Sequence, residues 1–294
     1  MKKSLVFWVE EYLYNPTFFQ KILSFILLPL SFIYCGVMWL RYKFTSPQDF
    51  GIEIISVGNL VVGGSGKTPF VTALAKEQKN AAIILRGYGR NSRGMIVVKD
   101  LEKILVDVDI SGDEAMIYAK KLPNIVVIVS EDRKIAIQKA KEMGCTKIFL
   151  DDAYSKHSIK KLDILLHVET KNNFCLPSGP YRERLWQGKH ALVLQEGKDF
   201  ERKTTLINAT QKMSLVTAIA RPQRLDKYLP EVVSRNYFED HHNFKKEELE
   251  AILERDQSES LLVTFKDYVK IEKFGLPLSL LDLELELKYD KIPR

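Results

Sequence analysis

Ser56-Val57-Gly58-Asn59-Leu60-Val61-Val62-Gly63-Gly64-Ser65-Gly66-Lys67-Thr68-Pro69 is the stretch on which the reading of this chain turns. Just before the glycines, Ile52-Glu53-Ile54-Ile55-Ser56-Val57 reads as a strand. After them, Pro69 suits the first turn of a helix, with Phe70, Val71, Leu74 and Ala75 on one side. Glycines between a strand and a helix let backbone amides close around phosphate oxygens, and the helix N-terminus adds partial positive charge. Lys67 supplies a full charge to the outer phosphates, where transferred charge develops, and the Thr68 hydroxyl suits Mg²⁺. The expected nucleotide site is therefore Val61, Val62, Gly63, Gly64, Ser65, Gly66, Lys67 and Thr68. Val61 stands where the strict G-x-x-x-x-G-K-S/T pattern has glycine, so the loop departs from that motif.

Working outward, Ala81 to Leu85, Met95 to Val98, Ile104 to Val108, Ile125 to Val129 and Lys147 to Leu150 read as strands. Helices are expected from Ser111 to about Leu122, with the Ser111 and Glu114 spacing of a capping box, and from Glu131 to Met143. This alternation predicts a doubly wound α/β domain over 46–175. Asp151 and Asp152 close the Lys147 strand, on the edge where open sheets bind ligands. An acid there can hold Mg²⁺ or its water, and Asp151 is the expected metal ligand beside Thr68.

A Pro-, Gly- and Arg-rich segment, Leu176 to Arg184, reads as a boundary, with a hinge at about 165–190. Beyond it, strands at Ala191 to Leu194, Ser214 to Ile219, Val232 to Tyr237, Leu261 to Thr264 and Leu281 to Leu287, and a helix from Lys245 to Arg255, predict a second, smaller α/β domain over 185–290. Arg86, Arg90, Arg182 and Arg184 lie in glycine- or proline-rich loops and suit phosphate groups or a solvated surface equally. On residue type and spacing alone, Asp113 reads as a helix start and Asp240-His241-His242 as a surface pair before a helix, although a His next to an Asp can also form a base dyad or bind metal.

The chain has 294 residues, 46% hydrophobic and 28% charged, which excludes disorder and fibrous folds. Its net charge of +6 favours anionic partners. Basic and aromatic residues do not interleave as in base-stacking proteins, so no nucleic acid is expected. Cys35, Cys145 and Cys175 are widely spaced and read as free thiols in a reducing compartment. The N-terminal 1–45 is strongly apolar, without a charge from Ile22 to Leu40. Trp8, Tyr12, Tyr14, Trp39 and Tyr42 flank this run as interface aromatics do. A spanning helix, an interfacial helical hairpin and a helix packed on the domain all fit.

Taken together, Ser-Val-Gly-Asn-Leu running into Gly63-Gly64-Ser65-Gly66-Lys67-Thr68-Pro69, then Arg86-Gly87-Tyr88-Gly89-Arg90, Gly112-Asp113-Glu114, Asp151-Asp152, Leu176-Pro177-Ser178-Gly179-Pro180-Tyr181-Arg182-Glu183 and Asp240-His241-His242 resemble one family, the tetraacyldisaccharide 4'-kinases. The resemblance covers nearly the whole chain. It implies transfer of the ATP γ-phosphoryl group, with Mg²⁺, to the 4'-hydroxyl of a lipid A precursor, a tetraacyldisaccharide 1-phosphate, at the cytoplasmic face of the bacterial inner membrane. It further implies Asp113 as base paired with His241, Asp151 and Asp152 at nucleotide and Mg²⁺, and Arg86, Arg182 and Glu183 at the substrate. One departure stands out: the family continues Asp-Asp-Gly-Phe-Gln-His, whereas this chain has Asp151-Asp152-Ala153-Tyr154-Ser155-Lys156, with His157 one place late. The rival readings are a P-loop kinase with a soluble acceptor and a non-catalytic, membrane-tethered binder of anionic ligands.

Overall fold

The computed structural model describes residues 2–63, 66–219, 222–240 and 242–288, so Gly64, Ser65 and His241 lie outside the described residues. Three helices open the chain, α1 (Lys2–Tyr14), α2 (Phe18–Ile26) and α3 (Leu28–Lys43). The apolar run is not one rod: α2 and α3 are bent by 59°. Pro29 lies in the first turn of α3, where its missing N–H removes no helical bond. No single described helix is long and apolar enough to cross a membrane; the bent pair together reaches that length and composition.

The amphipathic sense of α2 and α3 is inverted. Gln20, Ser24 and Ser31 are buried against the rest of the protein, while Phe18, Phe25, Phe32 and Ile33 face outward and Phe19 is 80% exposed. A contiguous apolar face of this kind marks an interaction surface.

The first α/β unit contains β1 (Glu53–Gly58), α4 (Lys67–Ala75), β2 (Ala81–Leu85), β3 (Ile96–Lys99), α5 (Val108–Ser111), α6 (Asp113–Lys121), β4 (Ile125–Val129), α7 (Arg133–Glu142), β5 (Lys147–Asp151), β6 (Leu162–Leu166) and β7 (Leu192–Leu194). Its sheet order is β3-β4-β2-β5-β1-β6-β7, with β3 pairing antiparallel to β4 at one edge and the other pairs parallel. β2 and β4 are buried along their whole length because apolar side chains pack on both faces. Ile55, Phe70, Ile83 and Phe149 pack on one face; Ile54, Ile84, Ile137 and Ile148 pack on the other. β1 and β5 are neighbours, with Val57 opposite Asp151, so the loops leaving their carboxyl ends emerge side by side.

The second unit is a sheet of β8 (Phe200–Ile207), β9 (Met213–Thr217), β10 (Ser234–Tyr237), β11 (Ser260–Thr264) and β12 (Leu278–Leu287), in the order β10-β9-β11-β12-β8, with α8 (Lys246–Asp256) and α9 (Phe265–Ile271). β8 and β12 form an antiparallel ribbon from Phe200 opposite Leu287 to Ile207 opposite Leu280. This ribbon lies on the first unit: Phe200 meets Phe70 edge to face with ring centroids 5.2 Å apart, and Leu285 joins the same apolar cluster.

Several local expectations change. Ile104 to Val108 is not a strand: Ile104 makes a single bridge to Lys99, and Asp107 caps α5, its carboxylate accepting from Ile110 N–H at 3.0 Å. Gly112, not Ser111, caps α6, at a left-handed φ of 81°. β7 lies beyond residue 185 yet pairs with β6, so the chain crosses between the sheets after Leu194 rather than within 165–190. Cys35 and Cys175 are not free thiols but a disulfide, with Cα atoms 6.2 Å apart and 140 residues between them in sequence. That pairing arises because α3 folds back onto the Cys175 segment, which spacing along the chain cannot reveal. Cys145 is a free, buried thiol, pushed up to about 11 by burial.

Candidate active site

The glycine loop leaves β1 and caps α4. Gly63 and Gly66 have φ of 90° and 77°, a region where other residues are strained. An added Cβ at Gly66 would also sit 2.7 Å from Arg202 Nη2, the tip of a side chain that reaches across from β8 and would have to shift. Val61 pairs antiparallel with Tyr181, and Val62 N–H donates to Pro180 O at 2.9 Å. The position where the strict motif has glycine is thus held as a buried β-bridge residue.

Lys67 opens α4 with its Nζ 3.5 Å from Asn59 Oδ1 and 3.7 Å from Asp152 Oδ1. Arg182 donates to Asn59 Oδ1 at 2.8 Å and grips Asp152 through both terminal nitrogens, Nη1 to Oδ2 at 3.1 Å. Burial pushes the Asp152 carboxyl up, but Lys67 and Arg182 outweigh it and hold it below the ordinary carboxylate value. Asp152 itself sits at a left-handed φ of 48°, which turns the chain sharply at the end of β5.

Asp151 behaves oppositely. Burial and the nearby Glu114 charge raise its carboxyl to about 7, against the pull of Lys67 and a hydrogen bond from Tyr118. Tyr118 Oη donates to Asp151 Oδ2 at 2.8 Å, and Thr68 lines the same cleft as Asp151. Asp151 Oδ1 is buried with no hydrogen-bond partner among the described residues. A buried, orphaned carboxylate oxygen near Thr68 fits a divalent cation. Among the described residues no three His, Cys, Asp or Glu side chains gather as a metal cage.

These groups open onto a cleft of about 800 Å³ between the two sheets. Lys67, Thr68, Arg86, Glu114, Asp151, Asp152 and Arg182 line it from the first unit, and Arg202, Asp240 and Lys266 from the second. The loop arginines separate into two kinds. Arg86 and Arg182 face the cleft, whereas Arg90 is tied to Glu131 at 2.6 Å, and Arg184 lies over the Tyr181 ring at 4.2 Å and bonds Asn173 O. Glu183 is buried behind Arg182, its carboxylate 3.8 Å from His157 Nε2 and 3.4 Å from Trp186 Nε1.

Asp113 begins α6 and faces α9, where Lys270 Nζ lies 3.2 Å from its Oδ2. Lys270 also donates to His242 O at 3.2 Å, so one lysine bridges Asp113 and His242. Among the described residues Glu114, not Asp113, is part of the cleft wall. Asp240 accepts from Lys266 at 2.8 Å. His242 is tied to Glu248 at 3.0 Å and stacks on Phe238, a structural setting at the start of α8. Sequence reading missed Tyr118, Glu114 and Arg202 as members of this site. Tyr118 reads as a core aromatic and Arg202 as one charge on a polar strand; only folding brings them to the loop.

A glycine loop heading α4, acid groups at the adjoining strand end and a second sheet roofing the cleft are the marks of a P-loop kinase. The chain belongs to the tetraacyldisaccharide-1-P 4'-kinase family, whose model matches residues 23–213 and 190–292. It is 49% identical to the tetraacyldisaccharide 4'-kinase of Aliarcobacter butzleri, covering 98% of this chain and 95% of that one. It is 45% identical to the corresponding Helicobacter pylori protein, covering 95% and 91%. The crystal structure of LpxK from Aquifex aeolicus in complex with ATP superposes with a TM-score of 0.71 at 26% identity, covering 92% of this chain and 96% of that one.

Proposed function

We propose that this protein transfers the γ-phosphoryl group of ATP to the 4'-hydroxyl of a tetraacylated glucosamine disaccharide 1-phosphate, giving lipid IVA, at the cytoplasmic face of the inner membrane. The observation that carries the reading is the cleft in which Lys67 and Thr68 face Asp151 and Asp152 while Arg86 and Arg182 supply charge beside them. Family membership names the acceptor. The outward apolar face of α2 and α3 suits a substrate whose acyl chains stay in the bilayer.

In this reading the backbone of 61–68 cradles the phosphates and Lys67 neutralises charge developing on the transferred group. Thr68 and Asp151 are the residues that would hold Mg²⁺, which would supply neutralisation of phosphate charge. Tyr118 holds Asp151 in place. Asp152, gripped by Arg182, orients Lys67. Asp113 accepts the proton as the sugar oxygen bonds to phosphorus and the bond to the β–γ bridging oxygen breaks, releasing ADP. His241 is assigned as its partner. Arg86 and Arg182 contact anionic groups of substrate or nucleotide, and Glu183 supports Arg182 from behind.

The test is transfer of label from γ-labelled ATP to the disaccharide lipid, run beside soluble sugar acceptors. Label on the lipid's 4'-position is the expected result. Label on soluble acceptors alone, or ATP binding without any transfer, overturns the reading.

A further inference from the structure

The N-terminal helices do more than present an apolar face. Their buried side is a row of hydroxyls, and nearly all of them bond one loop. Ser31 Oγ donates to Cys175 O and accepts from Ser178 N–H, both at 2.9 Å. Ser24 Oγ donates to Ser178 O at 2.6 Å, Tyr12 Oη to Pro177 O at 3.0 Å, and Tyr34 Oη to Arg182 O at 3.1 Å. Ser24, Ser31 and Ser178 are all buried, so these bonds have no water to replace them.

The other side of that loop holds the approach to the P-loop. Leu60 O accepts from both Arg182 N–H at 2.9 Å and Glu183 N–H at 3.1 Å, and Val62 N–H donates to Pro180 O at 2.9 Å. Tyr14 of α1 closes the circuit directly, its hydroxyl donating to Val62 O. Arg182, whose backbone Tyr34 bonds, is the side chain that spans Asn59 and Asp152. The segment 175–182 is therefore a strap with the membrane-facing helices bonded to one side and the nucleotide loop to the other.

We propose that Ser31, with Ser24 and Tyr34, is a positioning residue for nucleotide binding: through the strap it fixes Leu60, Val62 and Arg182 where the P-loop needs them. Removing the Ser31 hydroxyl leaves the buried Ser178 N–H without its acceptor and takes from Cys175 O one of two donors, the other being Gly179 N–H at 3.0 Å, and the strap loosens against the helices. The inference rests on the nucleotide site assigned above. The two are separated by measuring binding of a fluorescent ATP analogue to the full chain first: the parent binds it and Lys67→Ala weakens it, or the site assignment itself fails.

Given that control, Ser31→Ala is expected to weaken analogue binding, and to raise the KM for ATP, by about five- to tenfold, with a smaller change in kcat. Ser31→Thr, which keeps the hydroxyl, is expected to restore most of the loss. Partition onto anionic phospholipid vesicles stays at the parent level in both, because the altered atom lies on the inner face. Tyr34→Phe removes one bond to the strap without a cavity and is expected to weaken binding about threefold; it decides the matter if Ser31→Ala does not fold. Nucleotide affinity within error of the parent in the folded variants overturns the proposal, as does a loss that Thr fails to rescue.

Discussion

Tyr118 Oη donates its hydrogen to Asp151 Oδ2 at 2.8 Å in the interior of the first unit. The bond favours the ionised form of Asp151, whose carboxyl burial has already pushed up to about 7. A carboxylate that must be charged to hold a cation then makes kcat/KM for ATP rise with pH through that value. Tyr118→Phe removes the stabilising donor, so the acid limb moves to higher pH and activity at neutral pH falls by about tenfold. A pH–rate profile of parent and variant checks this; an unmoved limb shows that Asp151 does not govern it.

Asp113 is bridged by Lys270 to His242. As the general base it is expected to lower kcat by about 10²- to 10⁴-fold when changed to Asn, with nucleotide affinity near the parent's. Single-turnover transfer to the disaccharide lipid measures the first quantity, and equilibrium binding the second. Turnover within a few-fold of the parent removes Asp113 from the chemistry.

Lys189 is half-buried beside Asp163 at 3.2 Å and His157 at 2.9 Å, with its ammonium 3.7 Å over the Tyr154 ring. Burial and the neighbouring Lys161 push it down to about 8, against the pull of Asp163 and Glu183. The sign follows from proton counts: between about 8 and the unfolded value of 10.5 the unfolded chain binds more protons, so this group makes stability rise with pH across that window. Below about 8 it is charged in both states and its burial is a standing cost. Lys189→Met is expected to flatten the rise. Melting temperature against pH from 7 to about 10.5, compared between the two proteins, checks it.

Phe19 of α2 and Phe44, which directly follows α3, are about four-fifths exposed. If the apolar face of α2 and α3 enters the lipid surface, each Phe→Ser change reduces vesicle partition by about tenfold, as expected for loss of one buried aromatic. Co-sedimentation with anionic vesicles measures it. Equal partition of parent and double variant assigns membrane binding to other residues.

Much of the first unit was legible without coordinates. β2 over Ala81–Leu85 and β4 over Ile125–Val129 are short aliphatic runs between turn signals, and local pattern suffices for such strands. β8 was not legible: Phe200 to Ile207 carries Glu, Arg, Lys and two Thr, and becomes a strand because β12 offers it an antiparallel partner. The capping box at Ser111 failed for a related reason, since the short α5 took Ser111 and left Gly112 to turn the chain.

The sequence by itself determined the phosphate loop, the strand-helix frame that presents it and the acid pair at the end of β5. Each depends on residue types a few positions apart, whose backbone preferences and charges act locally. Tertiary structure decided what surrounds them: that Tyr118 bonds Asp151, that Arg202 lies over Gly66, that Arg182 faces the cleft while Arg184 does not, and that Cys35 meets Cys175. It also decided that the N-terminal apolar run breaks into two helices with their hydroxyls turned inward. Those relations join residues far apart in the chain, and they exist only once packing brings two surfaces together and buried polar groups must find partners.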